Sequence, residues 1–225
     1  MIRQEAVAGL GVLVVVPEDH KRGFISLTEL RSSRSTHKLA GSRTVPMESL
    51  EVGETQAQTL ERLTKEEIQL RHFTYDPSRV LSSRLVTCEL RPGVRVPTYL
   101  LQVPPKTNII VGSEAHEVAD LRWTPFEEVL EAPKGDLSLR PGTREAILSY
   151  LDFSRNNGGF KPAIYKYSDL KDPIPDEVFD MVEAGLSVKA SLFRLKLASA
   201  PFARSLLLVH SQSPQASFLG HVEAQ

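Results

Sequence analysis

The sequence predicts an α/β (α+β) fold: a mixed sheet covered on both faces, with a small α+β extension at its C-terminal end. Three observations predict it. Residues 6–16 (AVAGLGVLVVV) are nearly all apolar and end in three valines, as a strand buried on both faces does. Residues 39–70 read as strand, acidic turn and amphipathic helix. Two strand-like runs, 81–90 and 94–103, flank Arg91, Pro92 and Gly93, a hairpin signal.

The elements follow in order. After the first strand, residues 17–23 form a charged turn, and 24–31 (FISLTELR) a partly alternating second strand. Residues 32–37 are a polar, basic loop, and 38–45 lead to the acidic turn. The helix starts near Glu54 or Thr55, where negative charge suits the helix dipole, and runs to about Ile68. Residues 71–78 read as a loop, 81–90 and 94–103 as the hairpin, and 108–111 as a short apolar piece. An acidic stretch, 113–120, precedes a short strand at 121–123. Pro125 opens a helix (PFEEVLE), and 141–153 is a second amphipathic helix with Ala146, Ile147, Tyr150 and Leu151 on one side.

The texture changes at SRNNGG, residues 154–159, the best boundary in the chain. It divides a main domain, 5–153, from an extension, 154–225. The extension reads as a short helix at 177–184 and a hairpin built from 191–197 and 205–210, either a small α+β appendage packed on the main domain or extra strands on the main sheet, completing a pocket or forming a homodimer surface.

Composition narrows the function classes. With 225 residues, 41% of them hydrophobic, the chain can bury a sizeable core. Its 27 basic and 28 acidic residues nearly cancel, so charge makes no case for nucleic acid or an anionic membrane. The first apolar run is too short to span a bilayer, and Pro17, Glu18 and Asp19 follow it in place of a small-residue cleavage site. A single cysteine, Cys88, excludes an internal disulfide and fits a reducing, cytoplasmic setting, with the thiol buried in a strand. The six histidines show no metal-ligand spacing, and Trp123 reads as a core residue.

Chemistry concentrates on the central helix. At about 100° per residue, Ala57, Leu60, Thr64 and Ile68 form one apolar stripe. Glu61 with Lys65, and Arg62 with Glu66, can pair one turn apart. Glu67 falls beside Leu60, where an unpaired carboxylate is costly. Glu66 and Glu67 at a core edge need a partner: a basic side chain, backbone donors, or a hard cation such as Mg²⁺ or Mn²⁺. Arg31, Arg34, Lys38 and Arg43 form a basic cluster ahead of this stretch, in a loop that could meet phosphate.

The order of acidic turn, Gly53, Glu54, seven residues, Arg62, Glu66 and Glu67 resembles the signature of the Nudix hydrolases, G-x5-E-x7-R-E-U-x-E-E-x-G-U. Glu54 falls at the first glutamate, Arg62 at the arginine, Glu66 and Glu67 at the paired glutamates, and Leu70 at the final aliphatic. AVAGLGVLVVV and EVADLRWTPFEEVLE look like the family's opening strand and its later strand and helix. The resemblance covers roughly residues 5–153. It implies an α/β/α sandwich and divalent-metal-dependent attack of water on the pyrophosphate of a nucleoside diphosphate derivative. It implies metal ligands at Glu66 and Glu67, Arg62 orienting them by salt bridge, Glu54 supporting the site, and a nucleotide ligand.

Four box positions depart from the pattern. Glu48 replaces the leading glycine, Leu63 a glutamate that commonly holds metal, Thr64 an aliphatic, and Gln69 a glycine. On the wheel Leu63 lies between Glu66 and Glu67, where an isobutyl group would repel cation and water. Glu48, Glu51, Glu114 or Glu117 could compensate. Three functional expectations follow: a pyrophosphohydrolase of impaired activity, a non-catalytic Nudix-like module binding a nucleotide, a protein or a regulatory partner, or an unrelated α/β protein whose acidic helix is coincidental.

Overall fold

In the computed structural model, which describes residues 6–36, 38–112, 116–132, 138–156, 161–166, 176–187 and 190–191, the first apolar run is the centre of the sheet. It is two strands, β1 (Ala6–Val7) and β2 (Gly9–Val15), broken at Ala8. Every residue of β2 is buried. Its even-numbered residues and its odd-numbered ones point to opposite faces, because side chains alternate along a strand. Leu10, Val12 and Val14 therefore enter one core and Leu13 and Val15 a second.

The other strands are β3 (Phe24–Glu29), β4 (Arg43–Thr44), β5 (Met47–Ser49), β6 (Ile68–Arg71), β7 (Arg84–Arg91), β8 (Val94–Gln102), β9 (Asn108–Val111), β10 (Val118–Thr124) and β11 (Ala163–Lys166). The main sheet is mixed, in the order β10-β3-β2-β8-β7-β11, with β1 on β8, β4 on β3 and β5 on β2. β2 runs parallel to β8, and β11 parallel to β7; the β7–β8 hairpin is antiparallel. β6 and β9 form a separate ribbon.

Helices cover both faces, giving the expected α/β/α layering. α1 (Gln56–Glu66) and α2 (Pro77–Ser82) close the first core through Leu60, Leu63 and Val80. α3 (Phe126–Leu130) and α4 (Thr143–Arg155) close the second through Phe126, Val129, Ile147 and Tyr150. No described helix is long and apolar enough to cross a membrane.

Several elements differ from the sequence reading. α2 occupies a stretch read as loop and strand start. Asp76 caps it and Pro77 opens it, a local signal of a helix start. α1 ends at Glu66, short of Ile68, because Gly112 packs against the Glu66 carbonyl where a Cβ would overlap it. The chain there turns into β6, which pairs with β9. β10 takes in part of the acidic stretch through an irregularity at Asp120, whose φ is 51°. Trp123 is partly buried against the first core, with Arg22 over its ring.

The described part of the extension lies against the main sheet: β11 extends it, and α5 (Asp176–Glu183) packs on the loop after β3. The expected hairpin from 191–197 and 205–210 lies outside the described residues apart from Ser191.

Candidate functional site

The turn before α1 is built around one arginine. Thr55 caps the helix with a reciprocal bond pattern to Gln58. Glu54, just ahead of it, accepts from the Glu51 amide (3.0 Å), the Thr59 hydroxyl (2.8 Å) and two nitrogens of Arg62 (3.1 and 3.0 Å). Arg62 also donates to the Ser49 carbonyl at 2.6 Å. Its remaining nitrogen stands 3.0 Å from Glu48, 3.6 Å from Glu66 and 4.0 Å from Glu51. One guanidinium thus faces four carboxylates. The arginine holds the Glu54 carboxyl down at about 2, with help from the Glu51 amide, and its own pKa is raised in return.

Glu67, the C-cap of α1, turns inward. It is 9% exposed and accepts from the Met47 amide at 3.0 Å. Burial, reinforced by nearby Glu48, pushes its carboxyl up to about 8, towards the protonated form. Arg62 reaches Glu66 but makes no ion pair with Glu67 among the described residues, so it orients only one of the two glutamates.

Leu63 keeps its place between Glu66 and Glu67 around the helix, but not the cation-repelling role expected of it. It is fully buried in the first core and does not line the cavity beside the helix. The buried face of α1 runs through Thr59, Leu60 and Leu63, rotated from the expected Ala57–Leu60–Thr64–Ile68 stripe. Thr64 explains part of the rotation: its hydroxyl bonds the Leu60 and Glu61 carbonyls and the Tyr75 hydroxyl, satisfying it away from the core centre.

A cavity of about 390 Å³ opens beside this helix. Glu48, Arg62, Glu66 and Glu67 line one side; Glu29, Lys38, Glu117 and Arg140 line the other. Glu29 is buried and receives Arg140 at 2.5 Å and Lys38 at 3.5 Å. Lys38 also meets Glu117 at 2.6 Å and holds that carboxyl below its usual range. Glu29 and Arg140 were missed in the sequence. Glu29 shares the inward parity of Ile25 and Leu27, which could have marked a buried carboxylate needing a cation; nothing local distinguishes Arg140.

The basic cluster is split by the fold. Arg31 and Lys38 line the cavity, Arg34 turns to α5, and Arg43 bonds Ser26 and Asp120. Of the compensating acids, Glu48 and Glu117 line the cavity, Glu51 is largely exposed, and Glu114 lies outside the described residues. His116 lines the cavity too. Cys88 is buried, its thiol pushed up to about 12 by burial.

As arranged, these donors do not fit a divalent-metal cluster. A hard cation takes several ionised oxygens. Both Glu54 oxygens are bonded to Arg62, Glu48 and Glu66 share the same guanidinium, and Glu67 is buried on the Met47 amide. Among the described residues no three His, Cys, Asp or Glu side chains converge to hold a metal ion.

No protein-family model matches the sequence, and no curated protein matches it. Solved structures similar to it include Nudix proteins. A Nudix hydrolase from Nitrosomonas europaea is 16% identical, with a TM-score of 0.44 over 74% of this chain and 81% of that one. The Nudix domain of Shewanella oneidensis NrtR, complexed with ADP ribose, is 14% identical, with a TM-score of 0.48 over 67% and 89%. MutT protein from Methanosarcina mazei is 14% identical, with a TM-score of 0.44 over 68% and 97%.

Proposed function

We propose that residues 5–153 form a non-catalytic Nudix-like module that binds a nucleoside diphosphate derivative in the cavity beside α1. The observation that carries this reading is the use of the box residues. Arg62 takes up Glu48, Glu54 and Glu66, Leu63 belongs to the core, and Glu67 is buried on the Met47 amide. The carboxylates that would hold a metal are engaged within the protein. The cavity keeps a size suited to a small ligand, and Arg31 at its edge is exposed, a cation available to a phosphate.

The test is a calorimetric titration with ADP-ribose and other nucleoside diphosphate derivatives, beside a hydrolysis panel containing Mg²⁺ or Mn²⁺. Saturable binding of at least one derivative without turnover is expected. Turnover of any member overturns the non-catalytic reading, and failure of every member to bind overturns the ligand class.

A second reading is favoured by one observation: Glu48, Glu66 and Glu67 line the same cavity. In it, Glu66 and Glu67 hold Mg²⁺ or Mn²⁺, Arg62 and Glu54 support them, and hydrolysis is slow. It requires Glu67 to ionise and Arg62 to release Glu66 and Glu48.

A further inference from the structure

We propose that α5, in the C-terminal extension, is a strap on the cavity's outer wall that controls the position of the loop carrying Arg31 and Lys38. This deepens the ligand reading by naming what regulates the same cavity. It rests on that reading for the ligand and not for the coupling.

The loop between β3 and β4 has two sides. Its inner side gives Arg31, Thr36 and Lys38 to the cavity. Its outer side gives Arg34, Leu39 and Ala40 to α5. The loop closes on itself through paired backbone bonds between Ser33 and Lys38, 2.9 and 3.0 Å long.

α5 packs on the outer side of the loop. Val178, Phe179 and Val182 are buried over Leu39 and Ala40, forming a small core separate from the two that clamp the sheet. Arg34 lies over the Phe179 ring, 5.0 Å from its centroid, and pairs with Asp176 at 2.7 Å, Asp180 at 2.6 Å and Glu183 at 3.9 Å. These pairs are exposed and individually weak. They set the orientation of the helix, and the apolar contact supplies the strength of docking.

Leu39 passes the effect inward. Its carbonyl accepts from the Ser42 amide and hydroxyl, and the Gly41 amide bonds the Glu29 carbonyl. Lys38, the residue before Leu39, pairs with Glu29 and Glu117 on the same wall of the cavity. Releasing Leu39 from α5 therefore loosens the anchor of Lys38. The coupling is local, because the two main cores contain no α5 residue.

Hydrogen exchange on the full chain, without ligand, tests this. The reporters are the amides of Lys38, Gly41 and Ser42; the controls are those of β2 and of Ala184, which bonds Asp180 at the end of α5. Arg34→Glu and, separately, Phe179→Ser are expected to speed exchange at Ala184 and the reporters at least tenfold, with β2 unchanged. Asp180→Lys in the Arg34→Glu background is expected to restore most of the protection. Faster exchange at Ala184 with unchanged reporters overturns the proposal. So does unchanged exchange at Ala184 in both variants, which would mean these contacts do not hold α5. Equal acceleration in β2 also overturns it, since α5 would then support the whole fold. None of these outcomes depends on whether a nucleotide binds.

Discussion

Arg62 holds Glu54 by two nitrogens across the turn that enters α1, and both side chains are largely shielded, at 18% and 13% exposed. A lysine cannot reproduce that fork. Arg62→Lys is therefore expected to lower the denaturant midpoint, with Arg62→Ala lower still. The pH dependence carries a second signature. The Glu54 carboxyl is held at about 2, below its ordinary 4.5. Its contribution is present above about 4.5 and lost as pH falls towards 2. Arg62→Ala should flatten that acid limb in urea melts taken from pH 6 to pH 2.

Glu67 gives the opposite slope. Its carboxyl stands at about 8, above the ordinary 4.5. The native state holds a proton that the unfolded chain releases, so its contribution is full below about 4.5 and lost as pH rises through about 8. Stability is expected to fall across that window by the order of a few kcal/mol. Glu67→Gln should remove most of the fall and be the more stable protein at pH 8; an unchanged slope in the variant would place the titration elsewhere.

Leu63 is a core residue. Leu63→Ala is expected to cost about 2–5 kcal/mol, and Leu63→Met less than about 1.5. Leu63→Glu, which restores the box glutamate, should cost more than the alanine because it sets a carboxylate among Val12, Leu60 and Ile68. Unfolding by urea with chelator present would rank the three. A Leu63→Glu protein as stable as wild type would show that this side chain can reach the cavity.

Glu29 lies between two cations, Arg140 and Lys38, on the far wall of the cavity. Removing one charge from a buried pair leaves the partner uncompensated, at about 3–5 kcal/mol. Glu29→Gln is expected to show a loss of that order, and Glu117→Gln, at the more exposed end of the network, a much smaller one. Thermal melts of the two variants at pH 7 make the comparison.

Much of this molecule was legible along the chain. The valine-rich run marked the central strand, the arginine–proline–glycine turn marked the hairpin, and Glu54, Arg62 and Glu66 came together as their spacing required. Local signals also marked α2, at Asp76 and Pro77, though the stretch was read as loop. Glu29 was half legible, as a charge on an inward strand position. Arg140 was not, because its partner is 111 residues away.

The sequence by itself determined the layered mixed sheet, since an unbroken apolar run such as β2, buried at every residue, requires a cover on each face. It also placed four charged residues at set spacing around one turn and helix. Tertiary structure decided the rotation of α1, because Tyr75 draws Thr64 aside and the core takes Leu63. It decided the end of that helix, because Gly112, just past β9, comes from far along the chain. It decided the charge state of Glu67, because burial and Glu48 are properties of the packed site. Contacts of that kind join residues distant in sequence, so no local pattern encodes them.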